Sequence, residues 1–500
     1  MDGLDGHDAD MMVFDQLDDA DRATVHDLIN PRGAFGTYSP FRVWGGRRTT
    51  TLDSVEASLS PIAHVRRHDS SGSVADSSSY EADQTVMQAT FTISNGVIGV
   101  GILAVPFAFA ASGFISVVFC GLLTVFYGYT GLLIARCMSR TMDYGKEHRI
   151  PRIAQDWPLI GRVAFGQVGQ TIVTASLTLE IWFVLISYLV LVGANLNLLV
   201  PSLSRMVSII SSGILALALI FCPLQWVSMV SLVSNVATAA AVVALVWSAA
   251  SLPMRAPTDE LIFINWRGLP TTIGIVNFCF VAHAVFPTVY ASMRKPRRGF
   301  PLACFFSFLV AFFSYCGTGL FAYLFYGDSL GESFTENLGR DLQGHKIPGV
   351  HFLPLIATAA IVVKLEGGFP LFAAPFLLKT EQWLGLDKVP PPDSPIQGPA
   401  WKDPRVVRTL WRAGFMAVST LLAVLVRDHV ADIQAFTGCL FSMQTCCIFP
   451  VVFYWKMTPK IPLLERVALA SLLCFGVFVV VAGTGLNVLK LCGVDTGVTL

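Results

Sequence analysis

The sequence predicts an all-α polytopic membrane protein, with about eleven transmembrane helices arranged as a 5+5 inverted repeat plus one terminal helix. Three observations carry this. The composition is 54% hydrophobic and 14% charged with mean hydropathy +0.61, whereas an average soluble domain is roughly a quarter charged. Apolar runs near the ~20 residues that cross hydrocarbon recur from about residue 88 to 489. Two of these runs, the first and the sixth, are broken in the middle by glycine or proline.

Residues 1–85 carry many Asp, Ser, Arg and Gly and few sustained apolar stretches. Such a segment cannot bury enough surface to offset chain ordering, so it is expected to be a disordered cytosolic tail. Its first residues are acidic and polar, unlike a cleavable signal peptide, so the first span is expected to do the targeting. Tyr38-Ser-Pro-Phe41 fits a tyrosine-type sorting signal, though so short a pattern arises readily by chance.

The first span contains Ser94-Asn-Gly-Val-Ile-Gly-Val-Gly-Ile-Leu-Ala-Val-Pro106. Gly96, Gly99 and Gly101 weaken a helix and Pro106 withholds a backbone donor. An unpaired peptide group in hydrocarbon costs several kcal/mol, so a break survives only where protein encloses it or it lines a cavity. Glycines also serve plain helix packing in membranes, and the second break is what favours a site.

Further runs fall at about 114–138, 170–193, 206–222 and 227–250, the last pair separated by a turn at Cys222-Pro-Leu-Gln225. The sixth run, about 268–291, contains Asn277-Phe-Cys-Phe-Val-Ala-His-Ala-Val-Phe-Pro287. The rest lie at about 302–326, 351–377, 409–426, 432–454 and 467–489, leaving residues 491–500 as a short C-terminal tail. Five spans make an odd repeat whose copy enters from the opposite side. Interrupted helices at matching positions of such inverted halves form mid-membrane sites in many secondary transporters.

Lys and Arg gather in the loops on the N-terminal side, as in Arg294, Lys295, Arg297 and Arg298, predicting a cytosolic N-terminus and a luminal or extracellular C-terminus. The formal net charge of zero gives no sign of a nucleic-acid partner. The eleven cysteines lie mostly inside apolar runs and read as free thiols; no metal cluster is expected.

These residues resemble the amino acid/auxin permease family. Asn95 to Phe109 is similar to its first-span signature, Phe280 to Tyr290 with Met293-Arg-Lys-Pro296 to its sixth, and Ala322-Tyr-Leu-Phe-Tyr-Gly-Asp328 to its seventh-span exit. Leu179 to Tyr188 resembles the third span of vacuolar and vesicular members. The resemblance covers roughly 86–490, the expected transporter domain. It implies a LeuT-like fold, ion-coupled amino-acid transport without a cofactor, and an endomembrane such as the vacuole.

For an amino-acid substrate, amides near Ile102 can meet the carboxylate. Carbonyls around Gly96 to Gly99 and near Phe280 to His283 can accept from the ammonium, Ser94 and Asn95 add side-chain hydrogen bonds, Tyr188 is placed to line the pocket, and Gly101 belongs to the same substrate-binding stretch. Asn95 can instead hold the bundle together. Glu180 inside the third span is costly unless paired, protonated or wet, so it is a candidate for proton coupling against a structural ion pair. His283 is a second candidate, against a packing histidine. Lys364 and Glu366, two residues apart on a helix, do not face each other and each needs its own partner. Gly367-Gly368 stands where sodium-coupled relatives carry a Ser or Thr ligand, which favours protons over sodium.

The expectation is a proton-coupled transporter of small or neutral amino acids, moving its substrate across the bilayer by alternating access. The alternative is an amino-acid sensor signalling through the tail. An enzyme is disfavoured, since no intramembrane nucleophile with its base is seen.

Overall fold

The structure is a computed structural model that describes residues 84–221, 238–258, 261–350, 352–386 and 403–491. The tail, its sorting pattern, the Cys222 turn and the extreme C-terminus lie outside the described residues. Among the described residues all regular structure is helical, with only isolated bridges at Gln84–Met293 and Arg340–Lys346.

Among the described residues, eight helices are long and apolar enough to cross a membrane. They are the second span (Ile115–Glu147), third (Trp157–Leu199), sixth (Leu269–Ser292), seventh (Pro296–Ser329), eighth (Leu353–Trp383), ninth (Pro404–Leu425), tenth (Val430–Met457) and eleventh (Leu463–Lys490). Shorter apolar helices at Arg205–Ile220 and Thr238–Ala250 fall on the fourth and fifth runs.

The first run is not one helix. Val86–Val97 begins with a capping box between Thr85 and Gln88, which satisfies its opening amides. It stops where Ile98 (φ −77°, ψ 63°) and Gly99 (φ −90°, ψ −146°) leave helical geometry. A 3-10 turn at Val100–Leu103 follows, and Val105–Ser112 resumes the helix with Pro106 in its first turn, where the missing donor costs nothing. The sixth run breaks likewise: Leu269–Cys279 ends at Phe280, Ala282 is off-helix at φ −129°, and Phe286–Ser292 restarts with Pro287 in its first turn.

The third span is longer than its apolar run. It reaches back to Trp157, where Asp156 caps the first amide, and kinks at Phe165 and Gly166, the latter at φ 62°. Hydropathy undercounts it because its first turns mix Arg162 and Gln167 with apolar residues. The tenth span contains two π-helical stretches, Gly438–Ser442 and Gln444–Ile448; such widened turns recur at functional sites.

The two broken spans touch. A Cβ on Gly101 would lie 2.6 Å from Cys279 Sγ and 2.9 Å from its Cα, so only glycine permits this approach. The tenth span packs across the sixth at Gly274 and Gly438, where an added Cβ would meet the opposing backbone. The seventh span lies along the first, with Ser307 Oγ donating to Thr90 O at 2.9 Å. The third packs along the fourth and eighth.

Candidate functional site

Each break leaves backbone groups without helical partners. In the first, the Gly101 and Ile102 amides open the 3-10 turn. The Val97 carbonyl accepts from the Gly99 amide at 2.7 Å and also from the Tyr315 hydroxyl. In the second, the Cys279 carbonyl takes the same hydroxyl at 2.8 Å. Tyr315 therefore ties both breaks to the seventh span.

The expected residues fall into two groups. Gly101, Ile102 and Phe280 are buried at the contact between the breaks, with Phe280 edge-on to Tyr315 at 5.1 Å between ring centres. Ser94 is half-buried and its hydroxyl has no partner among the described residues. Asn95 and Gly96 are exposed at the end of the first half-helix, and Gly99 is half-buried inside the break. Tyr188 lies apart, buried against the eighth span beside Gly368 and Phe372.

Behind the sixth-span break runs a polar chain. His283 is fully buried, and its Nε2 lies 3.0 Å from Thr130 Oγ1 and 3.1 Å from Tyr127 O. A carbonyl only accepts, so the bond to Tyr127 O requires the proton on Nε2. Its Nδ1 has no partner among the described residues. Trp157 Nε1 donates to the His283 carbonyl at 2.9 Å, and Tyr127 Oη donates to Asn277 Oδ1 at 2.7 Å.

Glu180, 3% exposed, accepts from Thr445 Oγ1 at 2.8 Å through Oε2. Its Oε1 is buried without a partner among the described residues. No cation pairs with it there, so its neighbours are those of a carboxyl able to exist neutral.

The eighth-span charges each have their own partner, as their spacing requires. Lys364 Nζ donates to Thr238 Oγ1, and Ser212 Oγ donates to Glu366 Oε1 at 2.5 Å. Lys364 and Thr238 line a water-sized cavity with Ile102, Leu103 and Ile361, which brings a lysine beside the first break. No metal-ligating cluster occurs among the described residues.

Sequence reading missed Tyr127, Thr130, Asn277, Tyr315 and Thr445. One signal was present. A tyrosine or threonine hydroxyl inside hydrocarbon must find an acceptor, so Tyr315 among phenylalanines marks a polar contact without naming it.

The model of the family described as transmembrane amino acid transporter protein matches residues 82–489. Amino acid transporter AVT1J of Arabidopsis thaliana is 26% identical over 440 residues, covering 84% of this chain and 94% of its own. Amino acid transporter AVT1I of the same plant is 26% identical over 407 residues, 79% of this chain and 92% of its own. The vesicular GABA transporter of Caenorhabditis elegans is 24% identical over 388 residues, 75% and 73% of the two chains.

Proposed function

The chain belongs to the transmembrane amino acid transporter family, and on that premise we propose that it couples the movement of small or neutral amino acids to protons by alternating access. The observation that carries proton coupling is the half-partnered Glu180: one oxygen held by Thr445, the other buried and bare. A carboxyl in hydrocarbon with only hydroxyls beside it is cheaper neutral, and a carrier must be stable in both states on different sides of the cycle. His283 is the second carrier, since its bare Nδ1 is a buried ring atom able to take a proton.

The substrate lies at the two breaks. Its carboxylate meets the Gly101 and Ile102 amides, and its ammonium meets the Val97 and Cys279 carbonyls with Ser94 and Asn95 alongside. Phe280 bounds the site, whereas Tyr188 stands apart against the eighth span. The breaks now press together at Gly101, so binding requires the halves to part. The inverted 5+5 arrangement gives that motion its symmetry, with the first and sixth spans rocking against the rest. Sodium is disfavoured by Gly367-Gly368. Likeness to plant amino acid transporters and a vesicular GABA transporter supports an endomembrane location, and the Lys and Arg bias of the loops supports a cytosolic N-terminus.

The test is uptake of a panel of labelled amino acids into vesicles holding the full chain, under an imposed pH gradient, with and without sodium. Accumulation that needs the gradient and ignores sodium is the expected result. Binding without accumulation, or sodium dependence, overturns the coupling. Asn95→Ala and Glu180→Gln should each lower uptake without loss of membrane insertion.

A further inference from the structure

Tyr315 is fully buried, and its one hydroxyl proton faces two carbonyls, Val97 O on the first break and Cys279 O on the sixth, the latter at 2.8 Å. One proton cannot satisfy two acceptors. The Val97 carbonyl also accepts from the Gly99 amide at 2.7 Å. Buried carbonyls left short of donors are costly, so this pair stands ready for a group bringing more than one N–H.

We propose that the Tyr315 hydroxyl is a placeholder for the substrate's ammonium: it occupies the two break carbonyls while the site is empty and is displaced when an amine with two or more N–H donors arrives. The inference rests on the functional reading above and adds a positioning residue to it, on the seventh span rather than on either broken one.

The geometry gives the hydroxyl a second consequence. Because Tyr315 bridges both breaks, its bond favours the closed empty form, and release of substrate is completed when the hydroxyl returns. Ser307 holds the same helix to Thr90 two turns away, so the seventh span has a fixed anchor from which Tyr315 reaches in. The ring packs on Phe280, which keeps the hydroxyl aimed at the carbonyls whether or not it is bonded.

Tyr315→Phe removes the hydroxyl and keeps the ring. The empty form then loses the hydroxyl donor at both carbonyls, while the occupied form loses nothing. For labelled L-alanine, or whichever amino acid of the uptake panel the wild type takes up best, KM should fall about tenfold, equivalent to about 1.4 kcal/mol. The maximal rate should fall as well, because release no longer returns a hydroxyl donor to these carbonyls. In detergent, the substrate-free variant should melt below wild type and gain a larger shift from saturating amino acid. The N,N-dimethyl derivative, with one N–H, should compete poorly in both proteins.

A merely structural tyrosine would lower the amount of working protein and leave KM alone; an unchanged or raised KM overturns the proposal. Should Tyr315→Phe fail to insert, 3-fluorotyrosine placed at 315 donates more strongly and should raise KM, and a lowered or unchanged value overturns it equally. Wild-type vesicles that transport no amino acid would overturn the functional reading itself, a failure separate from a transporting wild type whose KM ignores residue 315.

Discussion

Two buried glutamates show how the same side chain is used for opposite ends. Glu381, at the end of the eighth span, has both oxygens engaged, Oε2 at 2.7 Å from Arg408 Nε and Oε1 at 2.7 Å from Arg412 Nε. Glu180, in the middle of the third, has one oxygen on a threonine hydroxyl and one bare. Fixed counter-charges hold such a carboxyl in place, and removing one partner strands the others. Neutral hydroxyl partners permit either state, which suits a group that must gain and lose a proton. Burial alone therefore does not mark function; the kind of partner does.

The largest effect should come from breaking the locked cluster. Glu381→Ala leaves two arginines without their acid and should cost about 3 kcal/mol, read as a lower unfolding midpoint and poor recovery of intact protein. Were Glu381→Ala harmless to stability yet fatal to coupling, the contrast would be reversed.

Glu180→Gln should do the opposite. The amide keeps an oxygen for Thr445, so the unfolding midpoint should hold, while accumulation driven by a pH gradient falls about tenfold. Exchange of labelled for unlabelled amino acid, which needs no net proton movement, should survive. Loss of exchange together with accumulation would make Glu180 structural.

A third acid sharpens the comparison from outside the membrane. Glu332, in the loop between the seventh and eighth spans, has its carboxyl pushed up to about 7 from the ordinary 4.5, first by burial and also by Asp432 and Glu336, with the Ala431 amide opposing. Since the folded protein holds this proton more tightly than the unfolded chain, ionisation works against the fold. The penalty is absent below about pH 4.5, grows as pH rises, and is complete above about 7. Glu332→Gln should thus raise stability at pH 8 by about 1 kcal/mol and change little at pH 4. An unfolding midpoint measured across that range, equal in both proteins, would remove the assignment.

Glu366 should matter least to coupling. It resembles Glu180 in having one hydroxyl partner, Ser212, and one bare oxygen, but it stands on the fourth- and eighth-span side rather than beside the His283 chain. Glu366→Gln should leave the pH dependence of uptake within about twofold of wild type, a difference of under half a kcal/mol. If it abolishes that dependence while Glu180→Gln does not, the two residues exchange roles.

Much of the fold was legible in the chain. Gly99, Gly101 and Pro106 announced the first break, and Phe280 to Pro287 the second, because helix weakness is written in local residue types. The seventh-, eighth- and tenth-span runs fell where helices stand. The spacing of Lys364 and Glu366 required separate partners, and Thr238 and Ser212 are those partners. The third span was harder. Its polar first turns hid the stretch from Trp157, and the turn at Gly166 is a left-handed glycine that hydropathy does not register.

The candidate site was legible only by element. Glu180 and His283 were visible as costly groups in apolar runs, but nothing beside them in the chain said what they meet. Thr445 lies 265 residues from Glu180, and Asn277 lies 150 from Tyr127. Ser94, Asn95 and Tyr188 were chosen by position along a helix, and the fold puts Tyr188 against Phe372 rather than at the contact of the breaks.

By itself the sequence determined that this chain lives in a bilayer, where its helices run and where two of them fail, since hydropathy and helix propensity add up over neighbouring residues. Only the tertiary structure decided that Glu180 meets a hydroxyl while Glu381 meets two arginines, and that one tyrosine joins the two breaks. Those facts depend on which side chains are brought together across the bundle, and the electrostatic state of a buried group is set by that company, not by its own chemistry.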